Sequence, residues 1–303
     1  MNASVARRDF AACSGCSLCL LVCPAWRATR DPRISPEGRA KALQAGAAPD
    51  ELAVSAAACT LCGACEPVCP EGIDLIGMTL GLRGALPDTP VRQAIRVSLA
   101  EGAGNSEIAE PAKVVILAGP ALSANPQALG RILELLEARG CEDGGEDILR
   151  ALESGIPVPG RRLERFLAPL RAADSVIVDD GFWMRHLRVW LPGKRLAGLG
   201  EALTRIAAVR SAVGPGDLYV IEPRAYHEDY ERLVKHYDRL RLERGCATNL
   251  DLQRIAIPAA GEAEWILKGR RVERIVVERM EDAEVFSRHS ALPVVHVAEL
   301  ADH

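Results

Sequence analysis

The sequence from residue 13 to residue 24 reads CSGCSLCLLVCP, and residues 59 to 70 repeat its spacing as CTLCGACEPVCP. Each run has the pattern C-x2-C-x2-C-x3-C-P, which is typical of bacterial-type [4Fe-4S] proteins. Three closely spaced cysteines can curl around one iron–sulfur cube with their backbone N–H groups turned toward its sulfurs, while the fourth lies beyond a turn. The pattern therefore predicts two [4Fe-4S] clusters.

The fourth cysteine of such a run usually binds the cluster of the other run. This rule divides the eight cysteines into two sets of four. One set is Cys13, Cys16, Cys19 and Cys69, and the other is Cys59, Cys62, Cys65 and Cys23. We expect the two clusters to lie close together.

Two other roles for the cysteines compete with clusters. A disulfide framework is disfavoured because the chain is long, has no secretory signal and spaces its cysteines too closely for good bridge geometry. Zinc sites use two C-x-x-C pairs, so a third cysteine and a fourth before proline would have no function around a tetrahedral ion. Cubane clusters account for all eight positions.

The composition is that of a soluble globular protein. The 303 residues are 49% hydrophobic, and 37 basic against 41 acidic side chains give a net charge of -4. No apolar run approaches the roughly 18 residues of a membrane span, and residues 1–10 carry charge where a signal peptide is apolar. We expect a cytoplasmic protein with no transmembrane segment. Dispersed basic residues make nucleic acid an unexpected partner.

Helical signals follow the first cysteine run. Ser35, Pro36 and Glu37 form a helix start, Pro49 opens a second helix that runs toward Cys59, and Asp74 begins a third. The sequence thus predicts a mostly α-helical domain over residues 1–105, with a boundary in the small and polar residues 100–113.

The remainder, residues 112–303, predicts an α/β domain, so that the overall class is α+β. Strand 114–118 is followed by a helix that starts at Asn125-Pro126, and strand 219–221 by a helix that ends at Gly245. Further strands are expected at 175–178 and 274–277. An offset of 105 residues aligns Val115 with Val220, which indicates two duplicated βα modules at about 112–205 and 217–303. Chance similarity of two βα units is the alternative.

The N-terminal part resembles the α-helical ferredoxin domain of succinate dehydrogenase iron–sulfur subunits, of the anaerobic glycerol-3-phosphate dehydrogenase small subunit and of heterodisulfide reductase. The resemblance covers about a third of the chain. Besides the two cysteine runs, it rests on the Pro-Arg at 32–33, the Pro-Glu-Gly-Arg at 36–39 and the Cys-Pro-Glu-Gly-Ile at 69–73.

The two α/β modules resemble the cysteine-rich catalytic half of heterodisulfide reductase, in which each module carries Cys-Cys-Gly after a helix and Cys-x-x-Cys further on. Here Cys141 and Cys246 stand alone, and the later positions read Asp-Asp-Gly at 179–181 and Glu-Arg-Met at 278–280. We expect a scaffold whose redox site has been lost. Cys141 and Cys246 would be vestigial residues at equivalent positions of the two modules.

Two further segments, Glu-Pro-Arg-Ala-Tyr-His at 222–227 and Asn-Leu-Asp-Leu-Gln-Arg at 249–254, resemble iron–sulfur subunits of bacterial N-methyl amine demethylation systems of the dimethylglycine type. The resemblance implies a flavoprotein dehydrogenase as partner and electron-transfer flavoprotein as a plausible acceptor. Tyr226 and His227 follow a strand, where either a cofactor contact or an ordinary structural turn would place them.

Together these features predict an electron-transfer subunit with no catalytic residues of its own. One alternative is a catalytic subunit of the heterodisulfide- or quinone-reductase type that uses a C-terminal site. Another is a scaffold or iron sensor without redox function.

Overall fold

A computed structural model describes residues 7–102 and 112–302. Within these residues the chain forms 17 α-helices and two four-stranded parallel sheets. The class is α+β, with a helical N-terminal part and an α/β C-terminal part, as the sequence predicts. The described residues separate into two compact units, one of residues 7–102 and 147–159 and the other of residues 112–146 and 160–302. The domain limits taken from the sequence stay a prediction.

The first unit is built from short helices. Polar caps start two of them where the sequence predicts: the Ser35 hydroxyl accepts the N–H of Gly38 at 2.9 Å, and the Asp74 carboxylate accepts that of Gly77 at 2.8 Å. The helices are α1 (Leu18–Leu21), α2 (Pro24–Thr29), α3 (Pro36–Gln44), α4 (Ala53–Ala57), α5 (Leu75–Ala85) and α6 (Pro90–Glu101), with 3-10 turns at Phe10–Ala12 and Pro49–Leu52.

Residues 147–159 pack with this helical unit. The guanidinium group of Arg83 donates to the carbonyl of Glu153 at 2.6 Å, and that of Arg92 donates to the carbonyl of Ser154 at 2.7 Å. Gly155, at φ +66°, lies so close to α5 that an added Cβ would be 2.3 Å from the carbonyl oxygen of Leu80. Arginine side chains of α5 and α6 and the close approach of Gly155 therefore fasten the segment to these two helices.

The second unit begins with a module whose parallel strands have the order β2-β1-β3-β4. They are β1 (Val114–Leu117), β2 (Arg139–Gly140), β3 (Ser175–Val178) and β4 (Arg195–Gly198). The helices that follow in the chain are α7 (Pro120–Ser123), α8 (Pro126–Leu135), α9 (Glu146–Glu153, largely in the first unit), α10 (Gly160–Ala172), α11 (Phe182–Trp190), α12 (Leu199–Thr204) and α13 (Ala207–Ala212). Asn125 caps α8, with Pro126 at its first position, as predicted.

A second module repeats this strand order as β6-β5-β7-β8. Its strands are β5 (Asp217–Val220), β6 (Ala247–Thr248), β7 (Arg274–Val277) and β8 (Val294–His296). Its helices are α14 (Pro223–Glu228), α15 (Tyr230–Arg244), α16 (Ala263–Leu267) and α17 (Met280–His289), followed by a 3-10 turn at Val297–Asp302. The identical strand order supports a duplication of βα units.

The predicted offset between the modules is wrong by two residues at the first strand. Val114 pairs with Ser175 in one sheet and Asp217 pairs with Arg274 in the other, so the equivalent strands are 103 residues apart. Val115 corresponds to Leu218 rather than Val220. The error arises because side chains alternate along a strand with a period of two, so a two-residue shift preserves the pattern of buried residues.

The predicted equivalence of Cys141 and Cys246 is also wrong. Gly140 of β2 pairs with Ile116, and Thr248 of β6 pairs with Tyr219. Cys141 therefore directly follows its strand, whereas Cys246 directly precedes its own. The error comes from aligning Gly140 with Gly245. Gly140 belongs to a strand, whereas Gly245 is the left-handed cap of α15.

Both faces of the second sheet are covered. Tyr219 and Val276 face a large core that also contains residues of the first module, while Leu218, Val220 and Ile275 pack into a separate core on the other face. Strands covered in this way are apolar on both sides. In the part of the chain that the structure describes, no helix has the length and apolar character to cross a bilayer.

Candidate metal centre

Four cysteines from both runs line one cavity in the first unit. They are Cys13, Cys16 and Cys19 of the first run and Cys69 of the second. The side chains of Glu37 and Ile73 complete part of its wall. The cavity brings together the four cysteines that the sequence groups. Their role as ligands of one cluster remains a prediction.

The other four cysteines interact electrostatically. Burial raises the pKa of Cys62 to about 11, and Cys59 and Cys23 lie close enough for their thiolate charges to raise it further. Burial likewise raises the pKa of Cys65, with additional effects from Glu66 and then from the same cysteines. Cys23, from the first run, is thus a neighbour of the three leading cysteines of the second run.

The backbone takes the same course through both runs. Gly15 and Ser17 have φ values of +80° and +62°, and Leu61 and Gly63 have values of +55° and +77°. These residues occupy the same two positions between the cysteines of their runs. A left-handed conformation costs a residue other than glycine about 1–2 kcal/mol, and here it turns the chain so that successive cysteines can face a common point.

Backbone N–H groups are directed at several of the sulfurs. Burial raises the pKa of Cys19 to about 12, and the N–H of Glu37 bonded to its sulfur opposes this rise. The N–H groups of Trp26 and Ala25, in the first turn of α2, act on Cys23 in the same way. Such donors stabilise negative charge on a thiolate, so they suit sulfurs that bind metal.

Polar side chains fix the position of each run. Lys41 of α3 donates to the carbonyl of Cys13 at 2.8 Å, and Gln44 donates to the same oxygen at 3.0 Å. Arg83 of α5 donates to the carbonyl of Cys59 at 2.5 Å. No local sequence pattern marks these three residues, because their function depends on helices that pack against the runs.

Arg39 is a buried cation near the second group of cysteines. Its side chain donates to the carbonyl of Ser55 at 3.0 Å, and its Nε atom has no hydrogen-bond partner in the described residues. Burial raises the pKa of Cys23, and the charge of Arg39 is among the effects that lower it. The Pro-Glu-Gly-Arg motif was the only sequence signal for this residue.

The donor set suits an iron–sulfur cluster. Among the described residues, none of the cysteines forms a disulfide, and no three Cys, His, Asp or Glu side chains are arranged to hold a single metal ion. The four ligands of a cubane bind four different iron atoms, so they surround a cavity instead of meeting at one point. Thiols around a cavity, with N–H groups directed at sulfur, fit this requirement.

A comparison with known families agrees with this geometry. A family model described as a 4Fe-4S dicluster domain matches residues 9–73, which include all eight cysteines of the two runs. Searches of curated proteins and of solved structures found no match. The chain therefore contains a ferredoxin-type, metal-binding domain of the [4Fe-4S] class. This domain supports an iron–sulfur electron-transfer role.

Charged residues lie at the carboxyl ends of β3 and β7 in the second unit. Asp180 follows β3 and binds Arg224 at 3.0 Å and Arg279 at 3.3 Å, both from the second module. Burial would raise the pKa of Asp180, but these two charges outweigh it and the pKa is lowered. Burial and the nearby Asp180 raise the pKa of Glu222 to about 8. This group of charged side chains joins the two modules through ion pairs.

Tyr226 and His227 are buried and fasten a loop. The Tyr226 hydroxyl donates to the carbonyl of Arg254 at 2.7 Å, and His227 Nε2 accepts the N–H of Ala256 at 3.2 Å. Of the two roles that the sequence leaves open for these residues, the structure favours the structural one. The two motifs at 222–227 and 249–254 are thus packed against each other.

The two remaining cysteines are weakly acidic thiols. Burial raises the pKa of Cys141 to about 11, with a further contribution from Asp143. Burial and then Asp217 raise the pKa of Cys246 to about 11 as well. A thiol with such a pKa is protonated at neutral pH and is a poor nucleophile.

Proposed function

We propose that this protein is an electron-transfer subunit that carries two [4Fe-4S] clusters. Cys13, Cys16, Cys19 and Cys69 would hold one, and Cys59, Cys62, Cys65 and Cys23 the other. The observation that carries the proposal is the cavity lined by three cysteines of one run and the last cysteine of the other. Bound clusters would accept and release single electrons, which converts a two-electron flavin donor into a one-electron source.

The chain's own residues would set the environment of the clusters. Backbone N–H groups at Glu37 and in the first turn of α2 stabilise thiolate charge on Cys19 and Cys23. Lys41 and Arg83 hold the backbone at the start of each run. Hydrogen bonds and burial of this kind are the means by which a protein adjusts a cluster's potential.

As partners we propose a flavoprotein dehydrogenase that demethylates an N-methyl amine and, as acceptor, electron-transfer flavoprotein. Support comes from the segments at 222–227 and 249–254, which resemble iron–sulfur subunits of such systems. A cytoplasmic location belongs to the same proposal.

A catalytic heterodisulfide- or quinone-reductase activity has less support. Such chemistry would use thiols at the strand ends of the second unit, where this chain has Asp179, Asp180 and Glu278. Cys141 directly follows its strand, and Cys246 directly precedes its own. Burial raises the pKa of both thiols, which makes them poor nucleophiles at neutral pH.

Cluster content is the first test. Protein purified without oxygen should contain about eight iron and eight acid-labile sulfide per chain. Replacing Cys23 by Ala should damage the cluster of Cys59, Cys62 and Cys65, and Cys69→Ala should damage the cluster of the first run. Electron paramagnetic resonance of the reduced variants separates the two signals.

A matched control is the double variant of Cys141 and Cys246 to Ala, which should keep the full iron content. Stoichiometric zinc or a content near four iron would contradict two clusters, and loss of only the first-run signal in Cys23→Ala would contradict the crossed assignment.

Activity is the second test. The isolated chain should turn over neither amines nor disulfides, yet it should be reduced by a reduced flavoprotein under anaerobic conditions. Turnover of either substrate class by the flavin-free chain would instead establish the catalytic alternative.

A further inference from the structure

A cavity of about 430 Å³ lies in the second unit, beside the edge strand β6. Its volume falls within the range of small-molecule sites. The walls come from the end of α15, from the loop after β6 and from α16 with the residues that follow it. This loop contains the Asn-Leu-Asp-Leu-Gln-Arg motif at 249–254, to which the electron-transfer proposal assigns no ligand.

Three arginines, Arg241, Arg254 and Arg270, give the cavity a positive character. Within the described part of the chain the guanidinium of Arg270 has no carboxylate partner, and it donates only to the backbone carbonyl of Thr248. Burial lowers its pKa. A guanidinium that is half buried without a counter-ion is a ready partner for an anion.

The other two arginines share one carboxylate outside the cavity wall. Asp238 lies 2.7 Å from Arg254 and 3.5 Å from Arg241, and the buried Nε of Arg241 has no hydrogen-bond partner. The acid in the wall is Asp251, and one of its oxygens accepts the N–H groups of Gln253 and Ile255. Positive charge therefore exceeds negative charge, and Asp251 is engaged in holding its loop.

Large apolar side chains border the same cavity. Trp265 is 43% exposed, and Leu252 is fully exposed at the tip of its loop. The loop is well anchored, because the buried Asn249 side chain bonds both the N–H and the carbonyl of Ile221 at 2.9 and 3.0 Å. An exposed indole beside cationic groups offers a surface on which a flat ring can stack.

We propose that this cavity binds a small ligand that combines a phosphoryl group with a flat aromatic ring, the chemistry of a nucleotide. The arginines bind the phosphoryl oxygens through paired N–H donors. Trp265 stacks on the ring, an interaction that tolerates different bases because each has a π-face. All the residues involved belong to the second unit, and the site does not depend on the clusters.

Binding is tested on the full-length, cluster-loaded protein by isothermal titration calorimetry. The probes are flavin mononucleotide, ADP, inorganic pyrophosphate and a polyglutamate peptide. We expect at least one nucleotide to bind, and Arg270→Gln to weaken it by at least about tenfold. Arg271→Gln is the matched control: it removes the same charge one residue away from an exposed position outside the cavity wall, and it should leave the affinity unchanged.

Ring recognition is tested separately with Trp265→Leu, which should weaken nucleotide binding and leave any binding of pyrophosphate unchanged. If Arg270→Gln does not fold, Arg241→Gln replaces it and should also weaken the nucleotide. The proposal is overturned if neither nucleotide binds at concentrations up to about 1 mM. It is also overturned if Arg271→Gln weakens nucleotide binding as much as the cavity variants do, or if Trp265→Leu leaves the nucleotide affinity unchanged. Binding of a polyglutamate peptide in place of the nucleotides would also overturn it, and would identify the surface as a docking site for an acidic protein.

Discussion

Glu278 is a fully buried carboxylate at the end of β7. It accepts the hydroxyl of Tyr219 at 2.8 Å, the hydroxyl of Tyr237 at 2.7 Å and the N–H of Glu222 at 2.7 Å. Burial raises its pKa from 4.5 to about 7, while these donors act in the opposite direction. We predict that Tyr237→Phe, which removes one donor and keeps the ring, destabilises the protein more at pH 8 than at pH 5.5.

The size of the effect follows from the charge on the acceptor. A hydrogen bond to a charged group contributes about 1.5–3 kcal/mol and a neutral one about 1 kcal/mol. Glu278 is mostly ionised at pH 8 and protonated at pH 5.5, so we expect losses in the free energy of unfolding of about 2 and about 1 kcal/mol respectively. This difference corresponds to a further rise of about 0.7 in the pKa of Glu278.

The sign follows from linkage. Between pH 4.5 and 7 the folded protein keeps a proton on Glu278 that the unfolded chain releases, so this group's contribution to stability falls as the pH rises through that window. In Tyr237→Phe the pKa of Glu278 is higher still, so stability continues to fall at pH values above 7.

Urea unfolding at the two pH values, followed by tryptophan fluorescence under anaerobic conditions, measures the effect. The control is Tyr230→Phe, whose hydroxyl donates to the neutral carbonyl of Gln253 at 3.2 Å. It should cost less than about 1 kcal/mol, equally at both pH values. An equal cost of Tyr237→Phe at both pH values, or a larger one at pH 5.5, would refute the assignment of a charged acceptor.

Two further predictions concern a cation and a histidine. Replacing the buried Arg39 by Met should lower the reduction potential of the cluster near Cys23 by on the order of 50 mV. The control Arg33→Met, at a side chain that is 86% exposed, should leave this potential unchanged. A redox titration followed by electron paramagnetic resonance measures the potential, and equal potentials in both variants would contradict the effect. His296 is buried, and burial lowers its pKa to about 4. Below pH 6.5 the unfolded chain therefore takes up a proton that the folded protein does not. The free energy of unfolding should fall by up to about 3 kcal/mol as the pH drops toward 4. His296→Gln should reduce the slope of unfolding free energy against pH in this window by about one proton, and an unchanged slope would argue against it.

Much of the fold could be predicted from local patterns. Strands β3 and β7 lie where the sequence places them, because three consecutive β-branched residues followed by an acidic residue indicate a short buried strand. Asn125 with Pro126 and the terminal Gly245 mark helix ends through conformations that few other residues adopt. The cysteine pattern groups Cys69 with the first run, and these four cysteines line one cavity; their role as ligands of one cluster stays a prediction.

Features that depend on tertiary contacts could not be predicted. The register between the modules was misjudged because a strand pattern is unchanged by a shift of two residues. No local signal shows that residues 147–159 leave the α/β module and pack on α5 and α6, since their attachment uses backbone carbonyls that any residue carries. The bonds of Lys41, Arg39 and Arg83 likewise depend on helix packing.

The carboxylates after β3 and β7 occupy equivalent positions and make the same bond. Asp179 accepts the N–H of Gly119 at 3.1 Å, and Glu278 accepts the N–H of Glu222 at 2.7 Å, each donor lying two residues beyond the first strand of its module. In both modules this bond joins the first and third strands, where the strand order reverses and where open α/β sheets usually bind ligands. The duplication therefore extends from the strand order to a repeated structural hydrogen bond between the first and third strands of each module.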